Sequence, residues 1–273
     1  MMTPASRERV WSGVLGVLLT GSIALHGHHA LTGSKRFWIG VTLLMTAFSL
    51  LSSTRLLGGG ATAVFFSVGV TLGFFFEALS VHTGFPFGPY YYTPLFGPGV
   101  LGVPLIIPLA WYVIVYLGYV VTNLMIERQP LVGGSARQAI WLSLIGAGVV
   151  TAYDLSADPF MVRTIGAWVM LNPGDYFGEQ LRGFAGWTLV SFLIAVVVRL
   201  SHHKVPARAP SPVTTLAAAY PLAAYAVWWL FFMLIAEPRG IRVVAAYAMG
   251  IPTLAAATGL WKWHHARPLA ETS

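Results

Sequence analysis

Residues 77–111 read EALSVHTGFPFGPYYYTPLFGPGVLGVPLIIPLAW, and this stretch decides the fold. It begins inside a hydrophobic helix, leaves helical composition for Gly, Pro and aromatic residues, and runs into a second hydrophobic helix. Glu77 follows Phe74, Phe75 and Phe76, and before Glu127 the only other ionisable side chains are His82 and tyrosines. An acid at the centre of a membrane helix costs about 2.5–3.5 kcal/mol on insertion scales, so it faces a cavity or a partner. Glu77 is therefore the first pointer to a site.

Working outward, the 273-residue chain is 56% hydrophobic and 9% charged, where a soluble domain carries about a quarter charged residues. The composition implies a polytopic membrane protein. Without cysteine there are no disulfides, thiol nucleophiles, thiolate zinc sites or iron–sulfur clusters. The net charge of +7 is spread over the ends of apolar runs, which suits anionic headgroups and argues against nucleic acid as a partner. Arg7 and Arg9 precede an apolar run as in a signal peptide, but no small-x-small cleavage site follows, so the run reads as an uncleaved span.

A span needs about 20 apolar residues. The stretches between charges give helices near 10–30, 37–56, 61–81, 101–126, 137–156, 184–200, 214–236 and 241–262. The expectation is an all-α transmembrane bundle forming a single domain over 1–273, with its helical core at 10–262. Eight spans are favoured, and seven remain possible if one segment is interfacial, because only Glu237-Pro238-Arg239-Gly240 separates the last two runs. The basic, Pro-rich segment 201–213 reads as a linker. With the N-terminus cytoplasmic, ten of the sixteen Lys and Arg residues fall on the cytoplasmic side. Segments 82–100 and 157–183, separated by two spans, must then emerge at the same membrane face.

The fifth span ends TAYDLSADPFM, with Asp154 and Asp158 four apart and so on one helical face. Pro159 disfavours helix at Asp158, so the helix is expected to end there. Asp175 and Glu179, in the following aromatic loop, read as solvated charges. Tyr90, Tyr91, Tyr92, Trp111, Trp168 and Trp187 each also fit an interfacial aromatic belt. The HxHH of His26, His28 and His29 and the pairs His202-His203 and His264-His265 lack the HxxxH and HxxHH spacings of membrane di-iron hydroxylases, so no metal site is expected. Asp154 and Asp158 distantly suggest the aspartate-rich magnesium motif of membrane prenyltransferases, but no second such motif appears.

Taken together, the 77–111 block, YDLSADPFM (153–161), AWVMLNPGDYFG (167–178) and GFAGW (183–187) resemble the integral-membrane carotenoid biosynthesis proteins of the CruF type, the carotenoid 1,2-hydratases. The resemblance covers roughly residues 70–190. It is carried by Glu77, Thr83-Gly84, Pro86-Phe87-Gly88, Tyr90, Gly102-Val103-Pro104, Pro108, Asp154, Asp158-Pro159 and Met161. The chain departs from the family pattern at Tyr153, where the family has Trp, and at Glu179-Gln180 and Gly183-Phe184, where a hydrophobic-Pro pair and Asn-Phe are expected.

The resemblance implies addition of water to the terminal C=C of a linear carotenoid end, giving a tertiary alcohol. The substrate would be a lipid-dissolved linear or monocyclic carotenoid and the location a bacterial or archaeal cytoplasmic membrane, with other carotenoid-pathway enzymes as possible partners. Hydration is redox-neutral, so no cofactor is expected. It needs a protonated acid, which burial of a carboxyl favours, and a base for the water. Asp154 is expected as donor, with Glu77 or Asp158 as base or as the group that fixes its protonation. Tyr90, Tyr92, Tyr153, Trp111 and Trp168 are expected in the cavity wall, where aromatic faces would hold a carbocation, and His82 as a hydrogen-bond partner of a carboxylate. The alternatives are a di-iron hydroxylase, a prenyltransferase and a non-catalytic carotenoid-binding protein.

Overall fold

A helix with no polar face belongs at the centre of a bundle, and residues 106–127 contain one charge, at the very end. In the computed structural model, which describes residues 4–201 and 212–266, this helix is the hub. The helices are α1 (Pro4–Thr32), α2 (Phe37–Leu57), α3 (Gly59–Thr83), α4 (Ile106–Glu127), α5 (Ala136–Phe160), α6 (Leu181–Ser201), α7 (Pro212–Ile235), α8 (Arg239–Ala248) and α9 (Gly250–His264). Helix α4 packs against α2, α3, α5, α7 and α9 and is buried along almost its whole length. Two of its buried hydroxyls are answered from α2: Tyr116 meets Ser52 at 2.7 Å and Tyr112 meets Ser53 at 2.8 Å. Such bonds between membrane helices contribute about 0.6 kcal/mol each, enough to fix rotation but little of the stability.

Among the described residues, eight helical segments are long and apolar enough to cross a membrane, α8 and α9 together making the last. The eight-span reading holds. The break between α8 and α9 has a local cause, because Pro252 has no N–H to offer the carbonyl of Ala248 four residues earlier. Of the expected linker 201–213, residues 202–211, with His202-His203, lie outside the described residues. His26 and His29 are buried beside Phe37 and Phe231, with ring nitrogens held by the carbonyls of Ser22 and Ser34 at 2.7 and 2.8 Å.

Two boundaries differ from expectation. Helix α4 starts at Ile106 instead of 101, because residues 99–104 form a small hairpin of β2 (Gly99–Val100) and β3 (Val103–Pro104) turned at Leu101-Gly102. Helix α5 does not stop at Asp158. It runs through Pro159 to Phe160 and continues as a wide turn over Met161–Ile165. Proline leaves the carbonyl of Leu155 without its helical partner, and the Tyr176 hydroxyl donates to that oxygen at 2.9 Å. A side chain from the following loop thus replaces the missing bond.

The long loops after α3 and α5 meet at one end of the bundle, as expected from the even number of spans between them. β1 (Tyr90–Tyr92) pairs antiparallel with β4 (Trp168–Met170), Tyr90 opposite Met170 and Tyr92 opposite Trp168. The Thr93 hydroxyl donates to the carbonyl of Gly166 at 2.8 Å, and Arg182 at the start of α6 donates to the carbonyl of Gly84. These contacts make a cap over the ends of α3, α4, α5 and α6.

A carboxylate-lined aromatic cavity beneath the cap

Glu77 lies in the penultimate turn of α3 and is 4% exposed. The chain after it reverses at Gly84, which is left-handed, and is tied back to α3 by Ser80, whose hydroxyl accepts from Phe87 N–H at 3.2 Å and donates to Gly88 C=O at 3.1 Å. This reversal brings Tyr90 and Tyr92 over the acid. Alternation along β1 puts these two on one face and leaves Tyr91 exposed. Both hydroxyls donate to Glu77 Oε2, that of Tyr92 at 2.7 Å, and Trp111 Nε1 donates to Oε1 at 2.8 Å. Burial and the Glu77 charge raise both phenols well above their ordinary range, so they remain donors. Three donors converging on one carboxyl, with no acceptor opposite, suit an anion.

Gly73, one turn before Glu77, makes the Trp111 contact possible. A Cβ there would lie 2.7 Å from Cβ and Cγ of Trp111, atoms that cannot swing away. Gly73→Ala is expected to push Trp111 off Glu77 and to destabilise the protein by about 1–3 kcal/mol. A fall in thermal midpoint with a changed tryptophan emission checks this.

Glu77, Tyr90, Tyr92 and Trp111 form part of the wall of a cavity whose empty space, open solvent at its mouth included, is about 960 Å³. Trp38, Val41 and Met45 of α2, Ile107 and Ile114 of α4, Tyr153, Asp158 and Met161 of α5 and its wide turn, Trp187 of α6 and Trp228 of α7 complete much of it. Aromatic contacts knit the wall. Trp111 stacks on Trp187 at 4.2 Å between ring centroids, and Tyr153 lies 5.0 Å from Trp228. The ionisable carboxyls on the wall are Glu77, Asp158 and Glu179, and among the described residues that line it none is basic.

Sequence reasoning placed Glu77, Asp158, Tyr90, Tyr92, Tyr153, Trp111 and Trp168 here, and all seven line the cavity. Asp154 does not. It sits one turn deeper in α5, fully buried, with the Asp158 carboxyl as its side-chain neighbour, while Asp158 is partly open and on the wall. His82 is not a carboxylate partner. Five residues past Glu77 it points about 140° around the helix, is exposed, and bonds the carbonyl of Ala78 at 2.8 Å.

Glu179, expected to be solvated, is 3% exposed and part of the wall, whereas Asp175 is exposed as expected. Burial pushes the Glu179 carboxyl up to about 7, against a smaller lowering by the Trp168 indole. Its one sequence signal was an acid set among Trp168, Tyr176 and Phe177. Trp187 and Trp228 had no signal separating them from an interfacial belt.

The chain resembles known proteins over most of its length. The profile of the family described as "Carotenoid biosynthesis protein" matches residues 37–265. Bisanhydrobacterioruberin hydratase of Haloarcula japonica is 32% identical over 123 residues, covering 45% of this chain and 39% of that protein. No solved structure matches.

Proposed function

Because the chain belongs to the carotenoid biosynthesis protein family, we propose that it is a carotenoid hydratase, adding water to the terminal C=C of a linear carotenoid end to give a tertiary alcohol. The observation that carries this reading is the cavity itself: carboxyl groups on a largely apolar, aromatic wall with no basic side chain among the described residues. Acid-catalysed hydration passes through a tertiary carbocation. A negatively biased, ring-lined enclosure stabilises that species more than the neutral alkene, which is the requirement for catalysis. The same wall gives the diphosphate of a prenyl donor no cationic side chain to bind.

The polyene end lies against Ile106, Ile107 and Ala110 of α4, which line the cavity and are partly exposed, with its double bond at Asp158. Asp158 delivers the proton to the less substituted alkene carbon, and Asp154 one turn below is its proton reserve. Reach favours Asp158 over Asp154, since of the two it is the one on the wall. Glu77 remains an anion beneath Tyr90, Tyr92 and Trp111 and faces the developing charge. Trp111, Trp187 and Tyr153 offer ring faces to the cation. With the N-terminus cytoplasmic, as the Lys and Arg bias favours, the capped end and its cavity face the outer surface.

Expression in a lycopene-producing bacterial host tests the reading. The pigment extract is expected to gain the mass of one or two waters, and an unchanged pigment mass with the protein present in the membrane would refute it.

A further inference from the structure

We propose that Glu179 is the base of the hydration, the carboxylate that takes the proton from the attacking water, while Asp158 is the acid. The inference rests on the hydratase reading and assigns a role that reading leaves open.

Three observations select Glu179. It lines the same cavity as Asp158 but comes from a different segment, the loop between β4 and α6. Its Oε1 is buried and has no hydrogen-bond partner, so it offers a free acceptor. Glu77 does not, since its two oxygens already accept from Tyr90, Tyr92 and Trp111, and Asp154 is off the wall.

The loop is also held in place on the helix that bears the acid. The Tyr176 hydroxyl donates to Leu155 C=O, one residue after Asp154 and three before Asp158. Tyr176 in turn pairs with Glu179 across a tight turn, its N–H bonded to Glu179 C=O at 3.3 Å and its C=O to Glu179 N–H at 2.9 Å. The opening that Pro159 makes in the α5 ladder is thus the anchor that sets the second carboxyl beside the first.

The step balances. Asp158 gives its proton to the less substituted alkene carbon, the π pair forming the new C–H bond and leaving a tertiary cation. A lone pair on water forms the C–O bond. The surplus proton passes from the oxonium to the Glu179 carboxylate, and its return to Asp158 restores both groups. The sum is alkene plus water to alcohol.

Glu179 accepts a proton only when ionised, so the rate is expected to rise with pH through about 7, where burial has moved this group. The groups around it are Asp154 and Asp158 on α5, Trp168 on β4 and Tyr176 on its own loop, with Glu77 and Tyr92 on the shared wall and Arg163 beside Gly178. Tyr176, pushed up to about 12 by burial and Asp154, stays neutral over this range.

The test measures hydration rate against pH for wild type, Glu179→Gln and Glu179→Asp, with infrared titration of protonated carboxyls in wild type and Glu179→Gln. Glu179→Gln is expected to lose about 10²-fold or more in rate and to lack the rising limb near 7, with Glu179→Asp recovering part of both. The infrared band that titrates near 7 in wild type is expected to vanish in Glu179→Gln. If wild type hydrates its substrate and Glu179→Gln keeps the rate and the limb, the base is not Glu179, though the hydratase reading stands. No carboxyl titrating near 7 in wild type also overturns it, independently of how the variants fold. If wild type adds no water to any linear carotenoid, the hydratase reading itself fails.

Discussion

Asp158→Asn is expected to abolish hydration, with a loss of about 10³-fold or more at every pH, while the membrane fraction still contains folded protein. Removing a proton donor forfeits a general-acid contribution of about 10²–10⁴-fold. Asn keeps the side chain's volume, so the cavity wall of Tyr153, Met161 and Trp187 stays in place. Asp154→Asn is expected to cost less, since Asp154 is buried behind the wall and has only a supporting role in the proposed mechanism. The ratio of the two effects, measured as initial rates on the same substrate with protein amount normalised by immunoblot, separates donor from reserve. Equal losses would make the pair a single unit, and a larger loss for Asp154→Asn would reverse the assignment.

Glu77→Ala is expected to damage both fold and activity. It leaves the hydroxyls of Tyr90 and Tyr92 and the indole N–H of Trp111 without their shared acceptor. Each buried donor left unmet costs about 1–3 kcal/mol, so a large fall in thermal midpoint in detergent is predicted. Glu77→Gln separates the two effects. Its carbonyl still accepts from part of the triad, so stability falls less, but the negative charge facing the cation is gone and turnover is expected to drop by at least about 10²-fold, the scale of losing one oriented electrostatic group. Tyr90 and Tyr92 make the same point from the other side, since they belong to the cap strand β1 and their contact with Glu77 ties the cap to α3.

How much of this was legible in the sequence depends on whether the information was local. Glu77 stood out because an acid among phenylalanines in a span has few explanations. Tyr90 and Tyr92 were readable as wall residues, but not as a pair: what puts them on one face is the strand β1, which the all-α expectation did not contain. Asp154 and Asp158 were readable as one helical face, but not their ranking. One turn of α5, about 5.4 Å, separates a residue on the wall from one behind it, and that depth is set by how α5 packs on α6 and α8.

Glu179 was misread because its burial depends on a loop held by Tyr176 against Leu155, a contact no spacing encodes. The same contact explains the helix running through Pro159. The local preference for ending there was real, and a hydroxyl from the following loop outweighed it. His82 failed for the opposite reason, since simple helical geometry already turned it away from Glu77.

The central claim is that water, activated inside this cavity, supplies the oxygen of the product. Purified protein in lipid nanodiscs, given a linear carotenoid in oxygen-18 water under ordinary air, tests it directly. The account predicts one oxygen-18 atom in each new hydroxyl group of the product. A hydroxylated product carrying only oxygen-16 from dioxygen, or pigment that stays bound and unaltered in mass, would contradict it.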